Sequence, residues 1–160
     1  MIHDKLESQT VAFQIDEVIA SARNISAQNF KAFRATAANK GEDYNVMYED
    51  MVLCDDDAEA LTEQIDMIVP NIYQDIRAYT PAYTVDNGEV SFKIELKDAN
   101  AANRLIPLMK KIVIDKLLAW WYEARVPKLA EQYSTSASNT MAAVRAIVIP
   151  TFGVRKLRQI

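Results

Sequence analysis

The stretch from Leu105 to Tyr122 is the longest strongly apolar run in the chain, and it constrains the fold more than any other feature. Its apolar residues recur at steps of three and four, which places them on one face of an α-helix: Leu105, Met109, Val113, Leu117, Trp120 and Ala124. A second apolar row widens this stripe, so we expect the helix to be covered on more than one side. Four charged residues interrupt the run, so no membrane span is expected: Lys110, Lys111, Asp115 and Lys116.

Two further helices have clear limits. The acidic run 55–57 favours a helix N-terminus, because acids stabilise the positive end of the helix dipole. An apolar stripe then continues from Ala58 towards residue 78, with a kink expected at Pro70. After Val126, Pro127 occupies a favoured first helical position and predicts a last helix that runs to about residue 149.

The N-terminal third is less constrained. Apolar spacing predicts a first helix over residues 4–24. Residues 26–53 leave a helical extension, a short strand and a packed loop open, with a break expected near Gly41.

A β-hairpin precedes the long apolar helix. Residues 90–96 alternate apolar and polar side chains, and residues 82–85 supply the partner strand. Asn87 and Gly88 lie between them and form a favoured hairpin turn, because both tolerate a positive φ. An isolated two-stranded hairpin is marginal in water, so it needs helices or another chain to pack against.

Together these patterns predict a mainly α protein. We expect one domain over residues 1–150, a bundle of about four helices with the hairpin near 82–97 inserted before the central long helix. That helix starts either near Leu105, with Pro107 in its first turn, or near Ala99 with a kink, and Asp98 is a candidate cap. Residues 151–160 form a C-terminal arm that is basic and apolar.

Residues typical of catalytic or metal sites are scarce. The chain has one histidine, His3, and one cysteine, Cys54, which we expect to be a small buried hydrophobe. The acids 55–57 lack the spacing of a calcium-binding loop. We therefore expect no enzyme activity, no metal, no cofactor and no small-molecule substrate.

The aromatic run Trp120-Trp121-Tyr122 closes the apolar helix. Neighbouring side chains on a helix diverge by about 100°, so both Trp rings cannot face one ligand. We assign Trp120 to the core, and Trp121 with Tyr122 to an interface, where such residues are enriched.

Charge is divided unevenly along the chain. Residues 1–103 contain 8 basic and 19 acidic residues, a net charge of −11, whereas residues 104–160 contain 10 and 3, a net charge of +7. The halves can pair within one chain, pair between neighbouring copies, or each solvate its own surface.

The arm carries four candidate contact residues: Phe152, Arg155, Lys156 and Arg158. It is too short to form a core of its own, so it either lies against another surface or is a frayed terminus.

The order of elements and the sequence LLAWWYEARVPKLAEQY resemble those of the head–tail connector (neck, or adaptor) proteins of tailed phages and prophages of the Bacteroidetes. The matching residues are Trp120 near the end of the penultimate helix, Pro127 at the break, and Ala130 with Tyr133 in the last helix. The resemblance covers roughly residues 55–160 and is loose before them. Its members often end in a denser Arg-rich run than the one at 155–158.

This resemblance implies a structural virion protein, made in the bacterial host cytoplasm and located in the neck of the virion. It would form a homo-oligomeric ring between portal and tail, in contact with the portal protein and with tail or other neck proteins. DNA would be present only as contents of the ring's lumen. Asn87 and Gly88 join the arm residues and Trp121 and Tyr122 as interface candidates. The alternative is a non-viral helical regulatory or partner-binding protein without catalysis, which grips an acidic partner through Trp121, Tyr122 and the basic tail.

Overall fold

The protein is mainly α-helical, with a small antiparallel sheet, as the sequence predicts. The computed structural model describes residues 6–40, 52–80 and 82–148, so the arm 151–160 lies outside the described residues. The elements in chain order are β1 (Glu7–Gln14), α1 (Ile15–Lys40), α2 (Ala58–Ile76), β2 (Ala82–Asp86), β3 (Glu89–Leu96), α3 (Ala101–Tyr122) and α4 (Pro127–Val148).

The prediction of a helix over residues 4–24 is wrong in its first half. Residues 7–14 form strand β1, and the helix begins only at Ile15. Val11 and Phe13, on one face of the strand, are buried opposite Phe92 and Val90 of β3, whereas Ala12 between them is only partly buried. The apolar positions in this stretch fit a period of 2 as well as one of 3.6, and pairing with β3 decides between them.

Strand β3 is the centre of the sheet, whose order is β1-β3-β2. The predicted hairpin is confirmed, and Asn87 (φ 51°) and Gly88 (φ 76°) both have positive φ. The Gly88 carbonyl also accepts a 2.8 Å hydrogen bond from the Ile15 amide, where β1 passes into α1. The partner that the hairpin needs is therefore β1 of the same chain.

Helix α1 extends through residue 40, so part of the region left open by the sequence is helical. Residues 41–51 lie outside the described residues. Ser26 on α1 is buried; its hydroxyl donates to the Arg23 carbonyl (2.8 Å) and accepts from the Leu53 amide (3.0 Å). This serine therefore fixes the chain just before α2 against α1.

Helix α3 is the core element of the fold. It starts at Ala101, close to the earlier of the two predicted starts, and contains Pro107 within its length. Asn100, and not Asp98, is its first capping residue; Asp98 instead accepts a hydrogen bond from the Asn100 amide at 2.9 Å. The buried residues of α3 include both predicted apolar rows in part: Ala101, Leu105, Met109, Ile112, Val113, Asp115, Leu117, Leu118, Trp121 and Tyr122.

The other elements cover α3 on several sides. Helix α4 packs along it as the second arm of a helical hairpin, and α1, α2 and β1 contact it as well. Helix α2 buries the stripe that the sequence predicts and includes Pro70. None of the described helices combines the length and the apolar character needed to cross a membrane.

Candidate functional site: the α3–α4 elbow

The turn between α3 and α4, which we call the elbow, is built by local backbone bonds. The Tyr122 carbonyl accepts hydrogen bonds from the amides of Arg125 (3.0 Å) and Val126 (2.8 Å). Pro127 then begins α4 at a position where its missing N–H costs nothing. The predicted break between the two C-terminal helices is thus confirmed.

The assignment of the two tryptophans is reversed in the structure. Trp121 is 5% exposed and Tyr122 is fully buried, whereas Trp120 is half-buried at the edge of the core. Burial leaves neither Trp121 nor Tyr122 exposed, so the structure does not support the predicted interface at these two residues. Residues on one helix face recur at four-residue steps, so the buried Leu117 is followed by Trp121, and Trp120 is turned towards the surface.

Tyr122 belongs to a polar cluster inside the bundle. Asn29 on α1 donates hydrogen bonds to the hydroxyls of Tyr122 (3.2 Å) and Tyr133 (2.9 Å), and the two rings stack with centroids 6.0 Å apart. Burial raises the pKa of the Tyr122 phenol, and the Asn29 hydrogen bond opposes that shift. The cluster joins α1, α3 and α4, and Tyr133 contributes to it both a ring and a hydroxyl acceptor.

A second cluster surrounds the buried Asp115. Its Oδ2 accepts from Lys111 Nζ and from Ser136 Oγ, both at 2.7 Å, and Lys111 Nζ lies 2.5 Å from Ser136 Oγ. A serine beside a lysine can serve nucleophilic chemistry. Ser136, however, lies inside α4, where backbone N–H groups bond within the helix and offer no oxyanion donors. We interpret this cluster as a tie between α3 and α4.

The surface of the elbow carries an open groove of about 400 Å³, which we call the elbow groove. Its lining combines the half-buried Trp120 with small residues and two exposed glutamates. Neither glutamate makes an ion pair with any residue in the described part of the chain. The groove is lined by Ala119, Trp120, Glu123, Ala130, Glu131 and Ser134.

The elbow groove continues along α4. A second cavity of about 150 Å³ shares Ala119 and Ser134 with it and extends to the ion pair of Arg145 with Asp75, 3.8 Å apart. Lys116 also lines this part. One face of α4 therefore lines both cavities in succession, and we call it the α4 strip: Glu131, Ser134, Ser138, Met141 and Arg145.

The other predicted contact residues lie elsewhere. Asn87 and Gly88 are exposed at the hairpin turn and are not among the residues that line the groove. The four arm residues Phe152, Arg155, Lys156 and Arg158 fall outside the described residues.

Two expectations about residues 54–57 have different outcomes. Cys54 is exposed, so its assignment to the core is wrong; its amide and thiol both bond Asp57 Oδ2, at 2.9 and 3.3 Å. The acids 55–57 form a short 3-10 turn that opens α2, as expected for a helix N-terminus. Within residues 6–40, 52–80 and 82–148, no group of three or more His, Cys, Asp or Glu side chains could hold a metal ion.

Sequence reasoning missed the elbow groove, although a signal was present. Extending the buried row from Leu117 by four residues would have selected Trp121 and left Trp120 for the surface. Glu123 in the turn and Glu131 in α4 are eight residues apart in sequence, and the reversal of the chain at the elbow places both beside the same groove.

No protein-family model matches the chain, and neither a curated protein nor a solved structure is significantly similar to it.

Proposed function

We propose that the protein is a non-catalytic structural subunit of a tailed phage: a head–tail connector that forms a ring between portal and tail. The observation that carries the proposal is the elbow groove, an open surface in which the half-buried Trp120 stands beside small and acidic residues. Tryptophan side chains in such settings are frequent anchors of protein–protein contacts.

The residues of the family resemblance meet at this elbow. Trp120 and Ala130 line the groove, Pro127 starts α4, and Tyr133 stacks on Tyr122 beneath it. The resemblance therefore concerns one local structure, which supports a shared role for this surface.

The charge pattern supports contact between copies only in part. Among the described residues, three ion pairs join the acidic and basic halves of the chain: Glu17–Lys110, Asp98–Arg104 and Asp75–Arg145. Residues 52–76, however, contain no Lys or Arg. Asp55 is paired with Arg23 at 2.6 Å. The other exposed acids of this segment form a surface that a basic neighbour could complement in a heterologous ring interface: Asp56, Glu59, Glu63 and Asp66.

The hairpin no longer supports a ring, because β1 of the same chain supplies its partner strand.

The alternative, a regulatory or partner-binding protein outside the virion, is less well supported. It relied on Trp121 and Tyr122 as a surface for an acidic partner, and both are buried. Glu123 and Glu131 would instead favour a basic partner at the elbow groove.

The proposal is tested by native mass spectrometry of the full chain over rising concentration, alone and mixed with a purified portal protein from the same genome. We expect ring-sized oligomers, or a complex that forms only on the portal. Trp120→Ala should weaken that assembly, whereas Met67→Ala, which changes a 63%-exposed apolar side chain on α2, should not. A protein that stays monomeric and also fails to bind the portal would contradict the proposal.

A further inference from the structure

Strand β2 is an edge of the sheet. The strand order is β1-β3-β2, so among the described strands β2 pairs with β3 alone. Thr84 and Val85 are exposed, and Val85 is one of two large apolar side chains in the described part of the chain that are more than a third exposed. The outer side of an edge strand offers backbone groups to which another strand can bond.

The ladder on the other side of β3 shows which groups of β2 point outwards. Backbone hydrogen bonds of a central strand alternate between its two neighbours. The Gly88 carbonyl accepts from the Ile15 amide, and this bond continues the β1–β3 ladder. Residues of β3 at even steps from Gly88 therefore bond β1, and Ser91, at an odd step, bonds its partner Thr84 in β2.

The residues on either side of Thr84 present their backbone to the open edge. The N–H and C=O groups of Tyr83 and Val85 face away from β3, and within residues 6–40, 52–80 and 82–148 no turn, loop or side-chain group bonds them. Their side chains lie on the core face of the sheet, where the Tyr83 ring lies 6.0 Å from that of Phe92. An added strand would thus find two donors, two acceptors and an apolar border.

The sequence of β2 is complementary to itself. In an antiparallel pair of two β2 strands centred on Thr84, Tyr83 of each copy opposes Val85 of the other, and each such pair exchanges two backbone hydrogen bonds. Aromatic residues opposite β-branched residues, and threonines opposite each other, stabilise adjacent strands. Asp86 would oppose Ala82, so no like charges meet, and the strand has no lysine or proline to block pairing.

We propose that two copies of the protein associate through their β2 edges, antiparallel about a two-fold axis at Thr84, and join their two three-stranded sheets into one. A contact between two five-residue strands is smaller than a stable interface, so the dimer forms only at raised protein concentration. Both copies use the same surface, so this contact closes on itself. The inference goes beyond the proposed ring and does not rest on it.

Disulfide trapping in the full chain tests the register. Residues opposite each other at a non-hydrogen-bonded position have Cα atoms about 4.5 Å apart, which a disulfide can bridge. In a Cys54→Ser background, which removes the single native cysteine, Thr84→Cys should therefore form a disulfide-linked dimer under mild oxidation.

Asp86→Cys in the same background is the matched control. It lies on the same strand and the same face as Thr84 and is also exposed. In the proposed register, however, the two copies of residue 86 lie four residues apart along the strands, about 13 Å. At equal protein concentration we expect Thr84→Cys to form the dimer at least about tenfold faster than Asp86→Cys.

A change at the outer edge should slow the trapping. Proline is tolerated where the N–H of an edge strand faces outwards, so Val85→Pro should fold, as a circular dichroism spectrum and a melting curve will check. It removes one donor from each copy and should slow Thr84→Cys trapping about tenfold. Val85→Lys keeps the donor, places a charge opposite Tyr83, and gives a second reading that does not require a proline.

Equal rates for Thr84→Cys and Asp86→Cys would overturn the proposal, as would trapping that a folded Val85→Lys variant leaves unchanged. Val85 does not line the elbow groove, so Val85→Lys should leave the assembly seen by native mass spectrometry intact. The ring and the strand pairing can therefore fail independently.

Discussion

The guanidinium carbon of Arg125 lies 3.5 Å from the centre of the Trp121 ring, and Arg125 Nη1 donates a 2.8 Å hydrogen bond to the Trp121 carbonyl. The arginine thus covers the ring from the solvent side and ties the elbow to the last turn of α3. Trp121 is therefore a buried ring under an arginine, whereas its neighbour Trp120 lines the elbow groove.

Trp121→Ala should therefore be the more damaging tryptophan substitution. Removing a buried Trp side chain leaves a cavity, and we expect a loss of about 3–5 kcal/mol in the free energy of unfolding, measured by urea denaturation. Trp120→Ala removes a half-buried ring and should cost about 1–2 kcal/mol. Equal losses for the two variants would contradict this placement of the rings.

The raised pKa of Tyr122 predicts a stability that declines in strong base. Burial raises the pKa of the Tyr122 phenol above its usual value of 10.0, so the unfolded chain loses this proton first as pH rises. The contribution is fully present below pH 10 and is lost as pH rises through the higher folded pKa. Unfolding free energies measured from pH 8 upwards should show a steeper decline above about pH 10 for the native chain than for Tyr122→Phe.

Tyr122→Phe is also informative at neutral pH, because it removes one acceptor of Asn29 while Tyr133 keeps the other. We expect a loss of about 0.5–1.5 kcal/mol in the free energy of unfolding, measured by urea denaturation. Asn29→Ala, which removes both hydrogen bonds, should cost more, and the reverse order would show that the cluster does not act through Asn29.

The buried carboxylate of Asp115 should contribute to the stability of the packing between α3 and α4. Asp115→Ala removes the acceptor shared by Lys111 and Ser136, and the loss of a part-buried charged hydrogen bond should cost about 1.5–3 kcal/mol by urea denaturation. Lys111→Ala is the comparison and should cost less. The lysine side chain is 51% exposed, and after its removal Ser136 still donates to Asp115. If Asp115→Ala unfolds at the same urea concentration as the native chain, the tie between α3 and α4 does not stabilise the fold.

At the hairpin turn, a substitution should lower stability through backbone conformation alone. Gly88 has φ +76°, and nothing lies within 4 Å of a Cβ added there. Gly88→Ala should cost about 1–2 kcal/mol, because a residue with a Cβ is disfavoured in the left-handed region. Asn87→Gly, at φ 51°, should be close to neutral, and a thermal melt of both variants separates backbone strain from steric conflict.

Much of the fold follows from sequence patterns whose period is unambiguous. Helix α2, the hairpin and the start of α4 at Pro127 were all predictable, because a long stripe, an Asn-Gly turn and a proline act locally. Strand β1 was not, since its apolar residues fit two periods and only pairing with distant β3 decides between them.

The candidate site was less predictable than the fold. Its lining residues come from α3, the turn and α4, so no single helix contains the groove. An error of one residue in helix phase exchanged Trp120 and Trp121, because neighbouring positions on a helix are about 100° apart.

The pairing of Glu7 with Leu96 has a consequence for synthesis. Strand β1 leaves the ribosome early, but the strand that satisfies its backbone follows only after α1 and α2 have been made. During that interval β1 has no strand partner, and its Val11 and Phe13 are uncovered, so it can pair with other chains. The contact is also non-local, which slows folding. The chain should therefore be most vulnerable to aggregation before residue 96 emerges, and a slowed step in translation before that point should lower its soluble yield.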